Sequence, residues 1–430
     1  MFPQSCWPAV LVACCLLMAP AMTAHAQDLF ERPPINYSNT EVHDPVARLS
    51  EALNSGETTL RYDEDFGYLE SVLQALDIPV SSQTLVFSKT SLQLHRITPS
   101  RPRALYFSDD VYVGYCQYGD VLELAATDAQ QGAIFYTLSQ SEEDPPQLVR
   151  DRGNCLSCHA SSRTQNVPGY LVRSVFPDPS GRPKLGSGTF VTDHTSDFRD
   201  RWGGWYVTGK HGSMRHMGNT ICQGDEHTFD RDAGANQTSL DGYFRTDKYL
   251  SPHSDIVALM VLEHQTQMHN AIAAANYETR QALHQSYQMN ELLEREADHV
   301  SDSARRRITA AAERVLEYLL MCDEFPLTDK VVGTSEFAKE FVARGKRDSK
   351  QRTLRELDLA TRLFKYPCSF LIHSTAFNGL PEPVRLEITD RLLAILEGRD
   401  QSPQFAHLTP QMRRDILEIL QQTKPDLFSS

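Results

Sequence analysis

Apolar and polar residues recur with different periods in successive parts of the 430-residue chain. Residues 63–76 carry apolar side chains at helical spacing and are followed by Pro79, which predicts a helix that ends there. Residues 80–140 contain five short β-branched or aromatic runs separated by polar turns: TLVFS, ALYF, VYVGYC, VLELAA and AIFYTL. This pattern predicts a small antiparallel sheet with hairpins at SDD and TDAQQG.

Helical spacing returns after residue 250. Ser254 is expected to cap a helix over residues 255–276, whose apolar stripe includes His264 and Met268. The same spacing predicts helices near residues 304–322, 334–344, 382–397 and 410–422. Residues 150–250, in contrast, show little periodicity, which is typical of a segment organised around a ligand. The chain as a whole predicts an α+β fold.

The N-terminus carries an uncharged apolar run that ends in Ala24-His25-Ala26, a pattern typical of a signal peptide cleaved after Ala26. Lipoprotein processing at Cys14 is the alternative. No later segment is apolar for about 18 residues, so the sequence predicts a periplasmic protein without a membrane span. The predicted regions are a signal peptide at 1–26, an α+β region at 27–149, a loop-rich segment at 150–250 and a helical region at 251–430.

The composition is acidic, with a formal net charge of −14. Such a charge argues against nucleic acid or an anionic membrane surface as a partner, because both are themselves negatively charged. A basic protein partner or a neutral small molecule is favoured instead.

The most informative motif is RGNCLSCHASS at residues 152–162, where His159 directly follows the pair Cys155 and Cys158. In a CxxCH turn the two thiols can attach covalently to haem while the histidine binds its iron. With 9 Cys and 15 His in the chain, roughly 0.007 accidental matches are expected. A zinc site would need two further ligands, and no second CxxC occurs in the sequence. A thioredoxin-type dithiol would follow a buried strand, whereas LVRDRGN precedes this motif.

Through CLSCH and its export signal, the chain resembles the c-type cytochromes, and as a whole it resembles large exported bacterial proteins with one cytochrome c-type site. The resemblance implies one covalently bound haem c held in residues 150–250. It implies thioether attachment at Cys155 and Cys158, with His159 as the proximal iron ligand. The rest of the chain differs from the small cytochrome c fold.

The second axial ligand of such a haem is predicted to be Met217, in the stretch RWGGWYVTGKHGSMRHMGN at residues 201–219. Small cytochromes c, as a family, take their distal Met some tens of residues after the motif, and Met217 lies 58 residues beyond His159. In the same stretch, Trp202 and Trp205 either lie against the porphyrin or fill a core. The alternatives to Met217 are His216, His211, His264, His194 and His269, or no protein ligand at all.

Haem propionates would need cationic partners, and arginine pairs well with carboxylates. Four arginines cluster in sequence around the motif and are candidates for this role: Arg163, Arg173, Arg199 and Arg201.

Four cysteines remain outside the signal peptide and the motif: Cys116, Cys222, Cys322 and Cys368. In an oxidising compartment they could form two disulfides, and we predict the pair Cys322–Cys368 because both lie in the helical region. Free buried thiols are the alternative.

Together these features predict a periplasmic monohaem electron-transfer protein with a redox protein as its partner. The alternative is a haem-dependent oxidoreductase, either a peroxidase or a small-molecule dehydrogenase, with an open or labile distal position. In that case His211 or His216 would act as acid or base. A non-catalytic sensor is the third hypothesis.

Overall fold

A computed structural model of the chain describes residues 30–143, 145–223 and 230–428. The predicted processing sites at Ala26 and Cys14 lie outside these residues. The described chain combines helices with antiparallel sheets, which confirms the predicted α+β class.

Nine strands are described, and all of their pairings are antiparallel. They are β1 (Thr84–Val86), β2 (Arg103–Phe107), β3 (Val111–Tyr115), β4 (Val121–Asp128), β5 (Gly132–Ser139), β6 (Leu148–Arg150), β7 (Arg173–Val175), β8 (Thr189–Val191) and β9 (Trp205–Tyr206). The main sheet has the order β6-β5-β4-β3-β2-β1-β9, and β7 pairs separately with β8. The two predicted hairpins join β2 to β3 and β4 to β5, so this part of the prediction is confirmed.

The two faces of the main sheet differ in burial because successive side chains of a strand point to opposite sides. One face is fully buried and packs against the two helices that precede the sheet in sequence. On the other face, which we call the open face, several side chains near the centre of the sheet keep partial solvent exposure. They include Arg103, Leu105, Tyr112, Glu123, Ala125 and Thr137.

Nine α-helices lie in the described residues: α1 (Pro45–Ser55), α2 (Leu69–Ala75), α3 (Leu156–His159), α4 (Ile256–Leu292), α5 (Asp302–Leu319), α6 (Phe337–Ala343), α7 (Thr375–Asn378), α8 (Glu382–Leu396) and α9 (Pro410–Thr423). Helix α2 begins later than the predicted start at residue 63. The reason is a turn in which the Asp63 carboxylate accepts the N–H groups of Asp65 and Phe66, followed by Gly67 at φ 60°.

Helix α4 starts one residue later than predicted and runs sixteen residues further, to Leu292. Its N-cap is Asp255, whose carboxylate accepts the N–H groups of Val257 and Ala258, so the prediction of Ser254 as the cap is wrong. The Ser254 hydroxyl instead donates to the carbonyl of Tyr206 and accepts the N–H of Leu85. It therefore ties β9 to β1.

Among the described helices, none is both long and apolar enough to cross a membrane. Cys322 and Cys368 are free thiols buried in the helical core, so the predicted disulfide between them is wrong. Burial raises the pKa of each thiol to about 12, and both are therefore protonated at neutral pH.

Candidate functional site

The CxxCH motif folds into one helical turn. The carboxylate of Asp151 accepts the N–H groups of Gly153 and Cys155 and fixes where this turn starts. The N–H groups of Cys158 and His159 both donate to the carbonyl of Cys155. Cys155 is half-buried, Cys158 is exposed, and both are free thiols. The two thiols and the imidazole are therefore carried by a single short segment.

The ring of His159 is held in one tautomer. Its Nδ1 lies 2.9 Å from the carbonyl oxygen of Gly169, and because a carbonyl can only accept, Nδ1 carries the proton. Burial lowers the pKa of His159, although the bond to Gly169 acts in the opposite direction, so the ring is neutral at pH 7. The lone pair is therefore on Nε2, which is the arrangement of a metal-binding histidine oriented by a backbone carbonyl.

The loop that orients His159 is pressed against helix α4. The side chain of Asn270 accepts the N–H of Tyr170 at 2.8 Å and donates to the carbonyl of the same residue at 2.7 Å. A Cβ atom at Gly169 would lie 2.3 Å from Asn270 Oδ1, so only glycine permits this approach. The ring of His159 packs on Phe135 of β5, with 5.0 Å between ring centroids. The CxxCH turn thus sits over the open face.

A buried ion pair lies on the open face beside this turn. Arg103 Nη2 is 2.6 Å from Glu123 Oε2, and each side chain is about 85% buried. Ser91 and Gln93 also donate to the Glu123 carboxylate. Burial acts to raise the pKa of Glu123, but Arg103 and these bonds outweigh it and lower the pKa. The carboxylate is therefore ionised.

The same ion pair acts electrostatically on the CxxCH turn. Burial raises the pKa of Cys155 to about 12, with smaller contributions in the same direction from Asp151 and Glu123. Arg103 and Glu123 also act in opposite directions on the pKa of His159. Sequence reasoning missed this pair, although Glu123 inside the predicted strand VLELAA and Arg103 directly before ALYF were a usable signal.

The structure brings two of the four candidate arginines close to the motif. Burial, with the like charge of Arg163, lowers the pKa of Arg173, while Cys158 acts to raise it. The backbone of Arg173 is anchored by Trp205, whose indole N–H donates to its carbonyl at 2.8 Å. Arg163 is exposed and Arg173 half-buried, so both could reach a carboxylate next to Cys158. Arg199 is exposed, and its carbonyl accepts a bond from Arg231.

Arg201, the fourth candidate, is already paired. Its Nη1 lies 3.2 Å from Glu263 Oε2, and both side chains are almost completely buried. Its remaining donors bond to the carbonyls of His194 and Ser196. Arg201 therefore stabilises the core beside α4 and is not oriented toward a new anion.

The predicted distal ligand Met217 is fully buried. Its Sδ lies 3.6 Å from the hydroxyl of Ser174 on β7, directly after Arg173. Its backbone N–H donates to the carbonyl of Arg201 at 2.9 Å. The thioether thus lies next to the strand that carries one of the two nearby arginines, and its assignment as ligand stays a prediction.

The two alternative histidines of this stretch differ in whether they have a ring nitrogen without a hydrogen bond, which could bind iron. His211 bonds through Nδ1 to the carbonyl of Met214 and through Nε2 to the N–H of Asn236. His216 accepts the N–H of Gly218 at Nδ1, and its buried Nε2 has no hydrogen-bond partner among the described residues. The ring centroids of Trp202 and His216 are 5.3 Å apart. Trp202 is fully buried, as a core residue would be.

The histidines of the helical stripe are held in internal hydrogen bonds. His264 bonds through Nδ1 to His194 at 3.2 Å and through Nε2 to the hydroxyl of Ser369 at 2.8 Å. His194 in turn bonds through Nε2 to the carbonyl oxygen of Cys322. His269 donates from Nε2 to the carbonyl of Asp109. Met268 is fully buried in the apolar core.

Glu263 makes stability depend on pH in a specific direction. Burial raises its pKa from 4.5 to about 7, against the opposing effect of Arg201. The unfolded carboxyl ionises near pH 4.5 and the folded one near pH 7, so stability is lost as pH rises between these two values and is nearly constant above them. We therefore expect the unfolding free energy of the parent protein to fall relative to that of Glu263→Gln between pH 5 and pH 7. The loss is at most about 1.4 kcal/mol per pH unit, and denaturant unfolding at several pH values measures it. A difference that does not change with pH would contradict this expectation.

In comparisons with family models, with curated proteins and with solved structures, nothing matches the chain. Across the residues that the structure describes, no group of three or more His, Cys, Asp or Glu side chains is arranged to hold a metal ion.

Proposed function

We propose that this protein is an exported c-type cytochrome that binds one haem covalently and transfers electrons through it. The observation that carries the proposal is the orientation of His159, whose Nδ1 proton is fixed on the Gly169 carbonyl while Nε2 keeps its lone pair. Two free thiols share its helical turn. These donors suit haem c, since the thiols can form thioethers and the neutral imidazole can bind iron.

The residues around the turn support the same proposal. On the open face, the ring of His159 packs on Phe135, whose partner across the β4–β5 pair is the small residue Ala125. Arg163 and Arg173 lie on the side of Cys158 and would pair with propionates. When bound, the haem supplies a one-electron Fe(III)/Fe(II) couple. Cys155 and Cys158 would hold it, and the bond from His159 to Gly169 would orient the proximal ligand.

Absorption spectra of the protein matured in a periplasm test this function. A low-spin haem that can be reduced and reoxidised and does not bind carbon monoxide supports an electron carrier whose distal ligand stays bound to iron. A high-spin haem that takes up carbon monoxide supports the alternative, a haem-dependent oxidoreductase. A chain without covalent haem would refute both.

Met217→Leu is expected to turn a carbon monoxide-insensitive haem into one that binds carbon monoxide readily. Leucine removes the thioether but nearly conserves volume, so the fully buried site should lose less than about 1.5 kcal/mol of stability. Met217→Ala would be a poorer probe, because a buried Met→Ala change costs about 2–5 kcal/mol through the cavity it leaves. Met214→Leu is the matched control, since Met214 is also buried in the same stretch. An unchanged carbon monoxide response in Met217→Leu would exclude Met217 as the ligand.

A further inference from the structure

A cavity of about 200 Å³ lies between the β2–β3 hairpin and the helical half of the chain. Three of its lining side chains have a buried polar atom without a hydrogen-bond partner among the described residues. They are Arg355 at Nη1, Asp110 at Oδ1 and His373 at Nδ1. Because buried polar groups are nearly always satisfied, three such atoms around one cavity indicate a polar occupant.

Arg355 is held rigidly at this cavity. Its Nη2 pairs with the carboxylate of Asp109, and its guanidinium packs 4.8 Å from the ring centroid of Phe341 and 4.3 Å from that of Phe370. The side chain is 91% buried. A guanidinium fixed between aromatic rings, with one nitrogen still available, is well suited to bind a carboxylate.

The two ends of the cavity differ in charge. At the His373 end, burial lowers the pKa of His373 to about 3, and Lys346, Lys424 and Arg355 add to this effect. That imidazole is therefore neutral, and the three cations near it outweigh the one nearby carboxylate, Asp426. At the hairpin end, burial and then the like charge of Asp109 raise the pKa of Asp110 to about 7, against the opposing effects of Arg48 and Arg355. A cation in hydrogen-bonding contact with Asp110 Oδ1, which has no partner among the described residues, would stabilise the ionised carboxylate.

We propose that this cavity binds a small zwitterion, such as a free α-amino acid, with its carboxylate on Arg355 and its ammonium group on Asp110. The volume supports a small ligand, because pockets for drug-sized molecules measure about 300–1,000 Å³. Lys346, which is exposed at the rim, adds a second cation for the carboxylate. This site does not depend on the proposed haem function.

Binding of single L-amino acids to the full mature chain tests the proposal. We expect at least one of them to raise the melting temperature and to give a saturable calorimetric titration. Sodium acetate and methylammonium chloride, each of which carries only one of the two charges, should do neither at equal concentration. Asp110→Asn keeps the shape of the side chain and should lower the affinity for the amino acid about tenfold or more. Lys346→Gln should lower this affinity less.

Asp247→Asn is the matched control, because Asp247 is an exposed carboxylate paired with Arg245, and it should leave binding unchanged. Acetate binding that equals amino-acid binding, with no effect of Asp110→Asn, would show a simple anion site and overturn the proposal. A chain that binds none of the amino acids would also overturn it, since water alone would then satisfy the three polar atoms.

Discussion

Replacing Cys155 and Cys158 together by alanine is expected to abolish covalent haem completely while the chain still folds. Both thioether bonds depend on these two thiols: Cys155 is the N-cap of α3, and Cys158 lies within that helix beside His159. Cys158 is exposed and Cys155 half-buried, so the substitutions remove little apolar surface from the core. Haem staining after denaturing electrophoresis measures covalent attachment, and circular dichroism measures folding.

Ser157→Ala is the matched control for this double variant, because Ser157 lies between the two cysteines and is exposed. It should keep the full haem content. Haem that remains attached to the double variant after denaturation would show that the attachment lies elsewhere and would refute the proposed site. Loss of haem in Ser157→Ala as well would indicate that any change in this turn prevents maturation.

Arg103→Ala is expected to lower the unfolding free energy by about 3 kcal/mol. The substitution leaves the buried carboxylate of Glu123 without its cationic partner, and breaking a buried ion pair from one side typically costs about 3–5 kcal/mol. Because the charge of Arg103 also lowers the pKa values of Cys155 and His159, we expect the haem of this variant to have a shifted midpoint potential. Urea unfolding and a redox titration measure the two effects.

The double variant Arg103→Met with Glu123→Met separates charge from packing. If the uncompensated carboxylate is the cause, the double variant should recover most of the lost stability, since an apolar pair can replace a buried ion pair at little cost. Arg245→Ala, which breaks an exposed pair with Asp247, should leave the unfolding free energy nearly unchanged. A double variant less stable than Arg103→Ala alone would contradict this explanation.

The strands and most helices could be predicted because the spacing of their apolar residues in the sequence matches the spacing of their buried positions. In helix α5, Ile308, Ala312, Val315 and Leu319 form one buried stripe, and the sequence shows that stripe directly. The second half of α4 was not predicted, because its buried positions are largely polar, with Thr279, Ser286 and Asn290 among them. Packing against α5 extended this helix where apolar periodicity gave no signal.

The CxxCH motif could be recognised because its chemistry depends on spacing within five residues. The contacts that support it could not, because they join distant parts of the chain. The bond from His159 to Gly169 depends on how a loop folds against α4, and the pair of Arg103 and Glu123 depends on the register of β2, β3 and β4. The internal bonds of His264 to His194 and Ser369 likewise follow from tertiary packing.

The sheet order also determines how one edge of the main sheet is protected. In the order of the sheet, β1 is the last of the six strands formed by residues 84–150, and its outer side pairs with Trp205–Tyr206. An open edge strand is a template for pairing between chains, and a very short edge strand reduces that risk. With β9 in place, the edge at β1 is covered by a strand of two residues. Ser254, just before α4, ties this strand to β1, so the start of the helical region also protects the sheet edge.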